Sequence, residues 1–61
     1  MELEIVERNA QEVRDILDGL GGLRFREYAE DHSGSVIFVL QDVTIDGYDL
    51  IVQGLIRLGL Y

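Results

Sequence analysis

The C-terminal segment 46–61 combines one polar stripe with an otherwise apolar pattern. Its polar side chains Asp49, Gln53 and Arg57 are spaced four residues apart, so at about 100° per residue they form one narrow stripe of a helix. Apolar side chains occupy nearly all the remaining positions, namely Tyr48, Leu50, Ile51, Val52, Leu55, Ile56 and Leu58. A helix that is apolar almost all round has to be buried on several sides. The pattern therefore predicts a helix that needs cover from several directions.

The same segment is also compatible with a β-hairpin. The dipeptide Asp46-Gly47 is typical of type I′ turns, and the β-branched pair Ile51 and Val52 favours a strand. Gly54 weakens a helix interior. The regular spacing of the three polar residues favours the helix, with Asp46 as its N-cap.

A chain of 61 residues has little with which to cover such a helix. Domains of this size bury only about 60% of the surface of their unfolded chain, and the sequence has no cysteine for a disulfide. We therefore predict a non-catalytic protein–protein interaction module, homodimeric, whose contact is built from this helix. The predicted interface residues are Tyr48, Ile51, Val52, Leu55, Leu58 and Tyr61.

The N-terminal part predicts a strand followed by a helix. Residues 1–6 alternate apolar and polar side chains, which is typical of a half-buried strand. Asn9 followed by Glu12 matches a capping box at a helix start, and Arg14 is positioned to pair with Asp18. The apolar face of this helix consists of Ala10, Val13, Ile16, Leu17 and Leu20. Its end is predicted at a group of glycines, Gly19, Gly21 and Gly22.

Two further strands are predicted in the middle of the chain. Residues 23–30 alternate in the same way, except that Glu27 falls on the apolar face and requires a bulge, a strand end or an exposed position. Residues 31–34 have the composition of a turn. Residues 35–40 are β-branched and aromatic without alternation, which predicts a strand covered on both faces.

The resulting order, β-α-β-β-α, predicts a single α+β domain over 1–61. Its three strands would form an antiparallel-type sheet packed by two helices. The order also matches a ferredoxin-like β-α-β-β-α-β unit that lacks its last strand, which would leave an exposed sheet edge.

The charge balance narrows the range of partners. Twelve acidic residues against five arginines and no lysine give a net charge of −7. A field of this sign repels nucleic acid and anionic membranes at long range, so neither is expected as a direct partner. No apolar run approaches the roughly 20 residues needed to cross a bilayer, and the acidic N-terminus is unlike a signal peptide. We expect a soluble, cytoplasmic protein.

The acidic residues themselves suggest two explanations. One is a salt-adapted, acidic proteome, in which the chain would be a small structural or regulatory subunit. The other is a negative surface that meets a basic protein surface. The candidate acidic face consists of Glu2 and Glu4 on the first strand and Glu12, Asp15 and Asp18 on the first helix. Such an array imitates a line of phosphates in sign and approximate scale, although Arg14, Arg24 and Arg26 dilute it.

In size, charge and mixed α+β character the chain is similar to small acidic phage-encoded inhibitors, such as anti-CRISPR proteins and DNA mimics. The resemblance extends over the whole chain but involves no shared motif. It implies inhibition of a nucleic-acid-binding complex through the acidic face.

The sequence predicts no catalytic residue, metal site or cofactor. Asp31, His32, Ser33 and Ser35 are neighbours in a turn and cannot converge as a catalytic triad does. Residues 42–47 match the opening of an EF-hand loop, but Gln53 stands where the bidentate glutamate is required. The glycines at 19–22 close a helix, whereas a phosphate-binding loop opens one.

Overall fold

A computed structural model describes residues 1–30 and 32–61 and gives the bounds of each element. The elements are, in chain order, strand β1 (Glu2–Val6), a 3-10 turn (Glu7–Asn9), helix α1 (Ala10–Asp18), strand β2 (Arg24–Glu30), strand β3 (Ser35–Gln41) and helix α2 (Ile45–Arg57). The predicted α+β class and the β-α-β-β-α order are confirmed, with the 3-10 turn as an addition. In the predicted turn 31–34, Asp31 lies outside the described residues, and His32–Gly34 form a turn.

The sheet places the third strand of the sequence in its middle. Its order is β1-β3-β2, and both neighbours run antiparallel to β3. Ile5 pairs with Val36 in one ladder, and Phe25 pairs with Leu40 in the other. Strands β1 and β2 are therefore both edges, in agreement with a ferredoxin-like order that lacks its last strand.

The hydrophobic core fills the space between one face of the sheet and the two helices. Phe38 on β3 is fully buried at its centre. The remaining core residues come from the strands and from the apolar faces of both helices, namely Ile5, Ala10, Val13, Leu17, Val36, Leu40, Ile51 and Leu55. The predicted apolar face of α1 is thus confirmed at Val13 and Leu17.

The helices cover only one face of strand β3. The predicted cover on both faces is therefore confirmed for the face that packs against the helices, while no helix that the structure describes lies over the other. Val36, Phe38 and Leu40 belong to the core cluster. Ile37 and Val39 alternate with them and point to the other face. There Ile37 is nevertheless only 8% exposed and Val39 is half-buried. We call this second, uncovered face the open face.

Helix α1 starts differently from the prediction. Asn9 occupies the N-cap position, but its side chain makes no capping hydrogen bond. The 3-10 turn before it has already brought Asn9 into helical backbone conformation (φ −102°, ψ −1°), whereas a capping side chain works from the extended region. The predicted capping box is therefore wrong.

Helix α2 confirms the helical prediction for the C-terminal segment and excludes the hairpin. Its N-cap is Thr44 and not Asp46: the Thr44 hydroxyl accepts a hydrogen bond of 2.9 Å from the Gly47 N–H. The helix runs for 13 residues, and Gly59 follows it with a positive φ of 73°. In the described part of the chain, no helix has the length and apolar character needed to cross a membrane.

A glycine in the middle of α2 sets the approach of the two helices. Gly54 is buried, and a Cβ built on it would lie 2.9 Å from Ile16 Cδ1 and 3.2 Å from Ile16 Cγ2. A side chain here would push α1 away from α2. The close contact explains why the sequence has a residue of low helix propensity inside a helix.

Candidate interaction surfaces

Helix α2 uses part of its predicted interface inside its own chain. Ile51 is 1% exposed and Leu55 is 3% exposed, and both belong to the core. Leu58 is half-buried and packs against that core. Because α2 packs against α1 and forms part of the core, the apolar side of the helix centred on Ile51 is buried within its own chain. Ile51 and Leu55 are therefore not available to a partner, which corrects this part of the predicted contact.

The outer side of α2 has a continuous apolar stripe, which we call the α2 flank. It consists of Ile45, Tyr48, Val52 and Ile56, at spacings of three, four and four residues. Ile45 is 89% exposed and Ile56 is 56% exposed. Tyr48 is about half exposed, and Val52 is half-buried. Tyr48 and Val52 were among the predicted interface residues, whereas Ile45 and Ile56 were missed although their spacing marks them.

The end of the chain extends this flank. Tyr61 is largely exposed, and its proximity raises the pKa of the Tyr48 phenol, first through a hydrogen bond between the two side chains and then through charge repulsion. The chain turns back on α2 at Gly59, which has a positive φ, and this turn directs the last side chain towards Tyr48. The Leu60 N–H donates to the Leu55 carbonyl at 2.8 Å and holds this turn.

The open face of the sheet has three columns of different chemistry. The ladder registers align Glu2, Val39 and Arg26 in one row across the sheet. Glu4, Ile37 and Tyr28 form the next row. On these two rows the face is acidic on β1, apolar on β3, and basic and aromatic on β2, whose column ends at the acidic Glu30 beside Ser35. Arg24 adds a second positive charge beside Gln41 at the end of β2.

The two charged columns form no ion pair with each other in the described part of one chain. Each strand is separated from its neighbour by about 4.8 Å, so β1 and β2 lie about 10 Å apart with β3 between them. Within residues 1–30 and 32–61 the ion pair that forms is Arg14–Glu27, which involves neither Arg24 nor Arg26. Tyr28, which lies on β2 in the same column as Arg24 and Arg26, is 55% exposed. The open face therefore offers unpaired charge of both signs around an apolar centre.

The predicted acidic face is divided between two sides of the molecule. Glu2 and Glu4 lie on the open face, since they alternate with the core residue Ile5. The other members, Glu12, Asp15 and Asp18, are exposed on α1, which covers the opposite face of the sheet. The structure does not bring these two groups together into one surface.

The ion pair on the helix side explains the misplaced glutamate of β2. Glu27 is in regular register with Phe38, without a bulge, and its Oε2 accepts a hydrogen bond of 2.7 Å from Arg14 Nε. The pKa of Glu27 is lowered, mainly by this hydrogen bond and further by the positive charge of Arg14. Arg14 therefore pairs across to the strand and not with Asp18, because Glu27 projects beside α1 at the sheet edge.

A small cleft lies between the loops that precede β2 and α2. Its volume is about 240 Å³, and it is lined by Leu20, Gly21, Gly22, Leu23, Asp42, Thr44 and Gly47. Ligand sites usually measure about 300–1,000 Å³. The EF-hand-like segment does not form a loop, because α2 begins at Ile45 and continues through Gln53. The described residues contain no group of three His, Asp or Glu side chains that could hold a metal ion.

The turn before β3 shows no catalytic arrangement among its described residues. Ser33 Oγ donates a hydrogen bond of 2.9 Å to Glu30 Oε2, and His32 is exposed. Asp31, the acidic member considered for a triad, lies outside the described residues.

Comparisons with protein-family models, with curated proteins and with solved structures gave no match for this chain.

Proposed function

We propose that this chain is a non-catalytic protein–protein interaction module that binds a partner through the α2 flank. The observation that supports this is the exposed stripe of Ile45, Tyr48, Val52 and Ile56. From Ile45 to Ile56 it spans eleven steps of the helix, or about 16 Å at 1.5 Å per residue. Anchors at such spacings are those with which a helix binds a groove or a second helix in another protein.

The borders of the α2 flank support the same proposal. Asp49 and Gln53 follow one side of the stripe, and Gln53 Nε2 donates a hydrogen bond of 3.0 Å to Asp49 Oδ2. An exposed apolar patch with a polar border is typical of protein interaction sites. Tyr48 and Tyr61 add two aromatic side chains, the type that contributes most to binding energy at interfaces.

Site-specific photo-crosslinking in cells tests this function. A photo-reactive phenylalanine analogue at Ile56 should give a crosslinked protein product, and the same analogue at the neighbouring Arg57 should not, because Arg57 lies outside the flank. The substitution Ile45→Glu should abolish the product formed from position 56. Equal crosslinking from both positions, or a product that survives Ile45→Glu, would contradict the proposal.

A second candidate function is inhibition of a nucleic-acid-binding complex through the acidic side of α1. Its support is that Arg14 is held by Glu27, which leaves Glu12, Asp15 and Asp18 exposed on the helix. Competition with DNA for binding to CRISPR effector complexes is the test. The triple reversal of these residues to Arg should abolish competition, while reversal of Glu2 and Glu4 on the other side serves as the matched control.

The alternative explanation of the acidity is a structural or regulatory subunit from a salt-adapted proteome. The division of the acidic residues between two sides of the molecule favours a generally solvated surface. Salt separates the two explanations: a salt-adapted chain should gain stability up to molar salt, whereas an inhibitor that binds through charge should lose its partner as screening increases.

A further inference from the structure

The central strand of the sheet has the sequence of a strand covered on both sides, and the chain covers only one. Ile37 and Val39 place β-branched apolar side chains at the centre of the open face. The exposed Val6 and Tyr28 enlarge the apolar area on the two edge strands. Sheets whose strands are apolar on both faces are normally buried on both. Within one chain Ile37 is already buried and Val39 is half-buried, so a second layer would complete the cover of the open face and would bury Val6 and Tyr28 as well.

We propose that the open face packs against the open face of a second copy of this chain, with Glu2 of each copy paired with Arg26 of the other. The proposal adds a second binding surface to the interaction module and identifies its partner as another copy of the chain. It rests on the proposed function in treating the chain as such a module. The argument is charge complementarity under two-fold symmetry, the usual symmetry of protein dimers.

A two-fold axis in the plane of the interface can run along the strands or across them. An axis along the strands exchanges left and right, so β1 of one copy faces β2 of the other, and acid meets base. An axis across the strands leaves β1 over β1, and the four glutamates Glu2 and Glu4 of the two copies would oppose one another. The distribution of charge on the face thus selects the first arrangement.

The rows of the sheet stay aligned in this arrangement. Glu2 faces Arg26 of the second copy, and Glu4 faces its Tyr28, whose hydroxyl can donate to the carboxylate. Val39 and Ile37 pack against their own symmetry equivalents at the centre. Stacked sheets lie about 10 Å apart with strands crossing near −30°, a distance that glutamate and arginine side chains bridge together.

Pairing of copies through the edge of β1 is disfavoured by the same residues. The Leu40 N–H donates to the Met1 carbonyl at 2.8 Å. Because hydrogen-bonded and free positions alternate along an antiparallel strand, the backbone groups of Glu2 and Glu4 point away from β3. A second β1 added at this edge would bring glutamates close to glutamates, which is a common device against edge pairing.

Face-to-face packing leaves both helical layers on the outside. The dimer would be four layers thick, with the sheets in the middle and an α2 flank displayed on each outer side. Two identical binding sites at a fixed distance give avidity towards a repeated or dimeric partner. Three strands of five to seven residues, with about 3.3 Å per residue and about 4.8 Å between strands, form a face below the roughly 800 Å² per partner of a standard interface. We therefore expect a reversible dimer that dissociates in the micromolar range.

Charge-swap complementation in equilibrium sedimentation tests the proposal. Wild-type chain should dimerise reversibly. Arg26→Glu and Glu2→Arg should each weaken dimerisation at least about 10-fold, because each places like charges in both symmetric pairs. An equimolar mixture of the two variants should form a heterodimer, since both pairs are then complementary. The double variant Glu2→Arg with Arg26→Glu should dimerise again with itself.

Control variants with the same charge changes on the helix side distinguish the loss of a specific ion pair from an effect of net charge on dimerisation. Glu12→Arg and Arg57→Glu should leave dimerisation within about 2-fold of wild type, and circular dichroism should show every variant folded. A wild-type monomer at about 1 mM, or failure of both the mixture and the double variant to associate, would overturn the proposal. Dimerisation lost in Ile56→Glu and retained in Arg26→Glu would also overturn it, and would assign the contact to the α2 flank.

Discussion

The two faces of the sheet are built from the same strand and end in different environments. Val36, Phe38 and Leu40 meet two helices of their own chain and become part of a closed core. Ile37 and Val39, between them in sequence, meet no helix and lie between columns of opposite charge. The comparison shows that one strand can contribute to a closed core on one face and to a half-covered apolar row, flanked by opposite charges, on the other. The sharpest tests change the same residue type on the two faces.

The largest difference should come from two valines three positions apart. Val36→Asp places a charge in the core, with an expected loss above ~3 kcal/mol because a buried charge has no partner there. That loss is comparable with the whole stability of a domain of 61 residues, about 3–9 kcal/mol at 0.05–0.15 kcal/mol per residue. Val39→Asp should stay folded, with a loss near the ~1 kcal/mol span of strand propensities, and should lose self-association.

Urea unfolding followed by circular dichroism, together with sedimentation, measures both consequences. If Val39→Asp unfolded the chain as completely as Val36→Asp, the open face would be part of the monomer core and the distinction between the two faces would be wrong.

A substitution in the helical layer tests how the covered face is closed. Gly54→Val should destabilise the chain by ~1–3 kcal/mol, because the added side chain meets Ile16 where a Cβ alone would lie 2.9 Å away. Ile16→Ala in the same chain should recover part of the loss, as expected for residues in direct contact. Thermal unfolding of the two single variants and the double variant gives the coupling. Strict additivity would mean that the helices do not meet at this point.

The N-cap of α2 should have a smaller effect on the same layer. Thr44→Ala removes the acceptor of the Gly47 N–H and should lower the free energy of unfolding by ~1 kcal/mol. Thr44→Ser keeps the hydroxyl and is the matched control. A loss of equal size in the serine variant would show that the methyl group, and not the capping hydrogen bond, stabilises this end of the helix.

The smallest expected effect concerns the ion pair at the border of the covered face. Since the pKa of Glu27 is lowered in the folded chain, its ionised form stabilises folding above the ordinary glutamate pKa, and this contribution disappears as the pH falls through the lowered value. Glu27→Gln should therefore be less stable than wild type at neutral pH and equal to it in acid. The pair is partly exposed, so the difference should be of the size usual for surface pairs.

Unfolding curves at a series of pH values in low salt measure this difference. Arg14→Gln provides the control, because the stabilising charge is then absent while Glu27 remains. A constant difference between wild type and Glu27→Gln across the acid range would contradict the assignment of the shift to Arg14.

Local patterns predicted the elements of the fold better than the contacts between them. The β-branched run at 35–40 and the polar spacing of Asp49, Gln53 and Arg57 identified a strand and a helix, since each periodicity is a property of neighbouring residues. The pairing of Arg14 with Glu27 was not predictable, because the two are 13 residues apart and meet only once α1 lies on the sheet.

The sequence predicted that the chain has more apolar surface than its own core buries. It identified only in part which side chains form the exposed portion. The pattern of α2 suggested an outer contact at Ile51 and Leu55, but a helix apolar almost all round does not reveal which side faces its own core. The continuous apolar character of β3 likewise predicted cover on both faces, but it did not indicate that the helices would cover only one of them. Those assignments depend on packing between distant segments.

Isotope-filtered NMR on a mixture of labelled and unlabelled chains tests the central claim most directly, because it detects only contacts between copies. We expect cross-peaks between the methyl groups of Val39 in different copies, and between the Tyr28 ring of one copy and Glu4 of the other. Cross-peaks confined to Ile56 and Tyr48 on α2, or none at a concentration where sedimentation shows a dimer, would contradict the assignment of the open face as the contact between two copies.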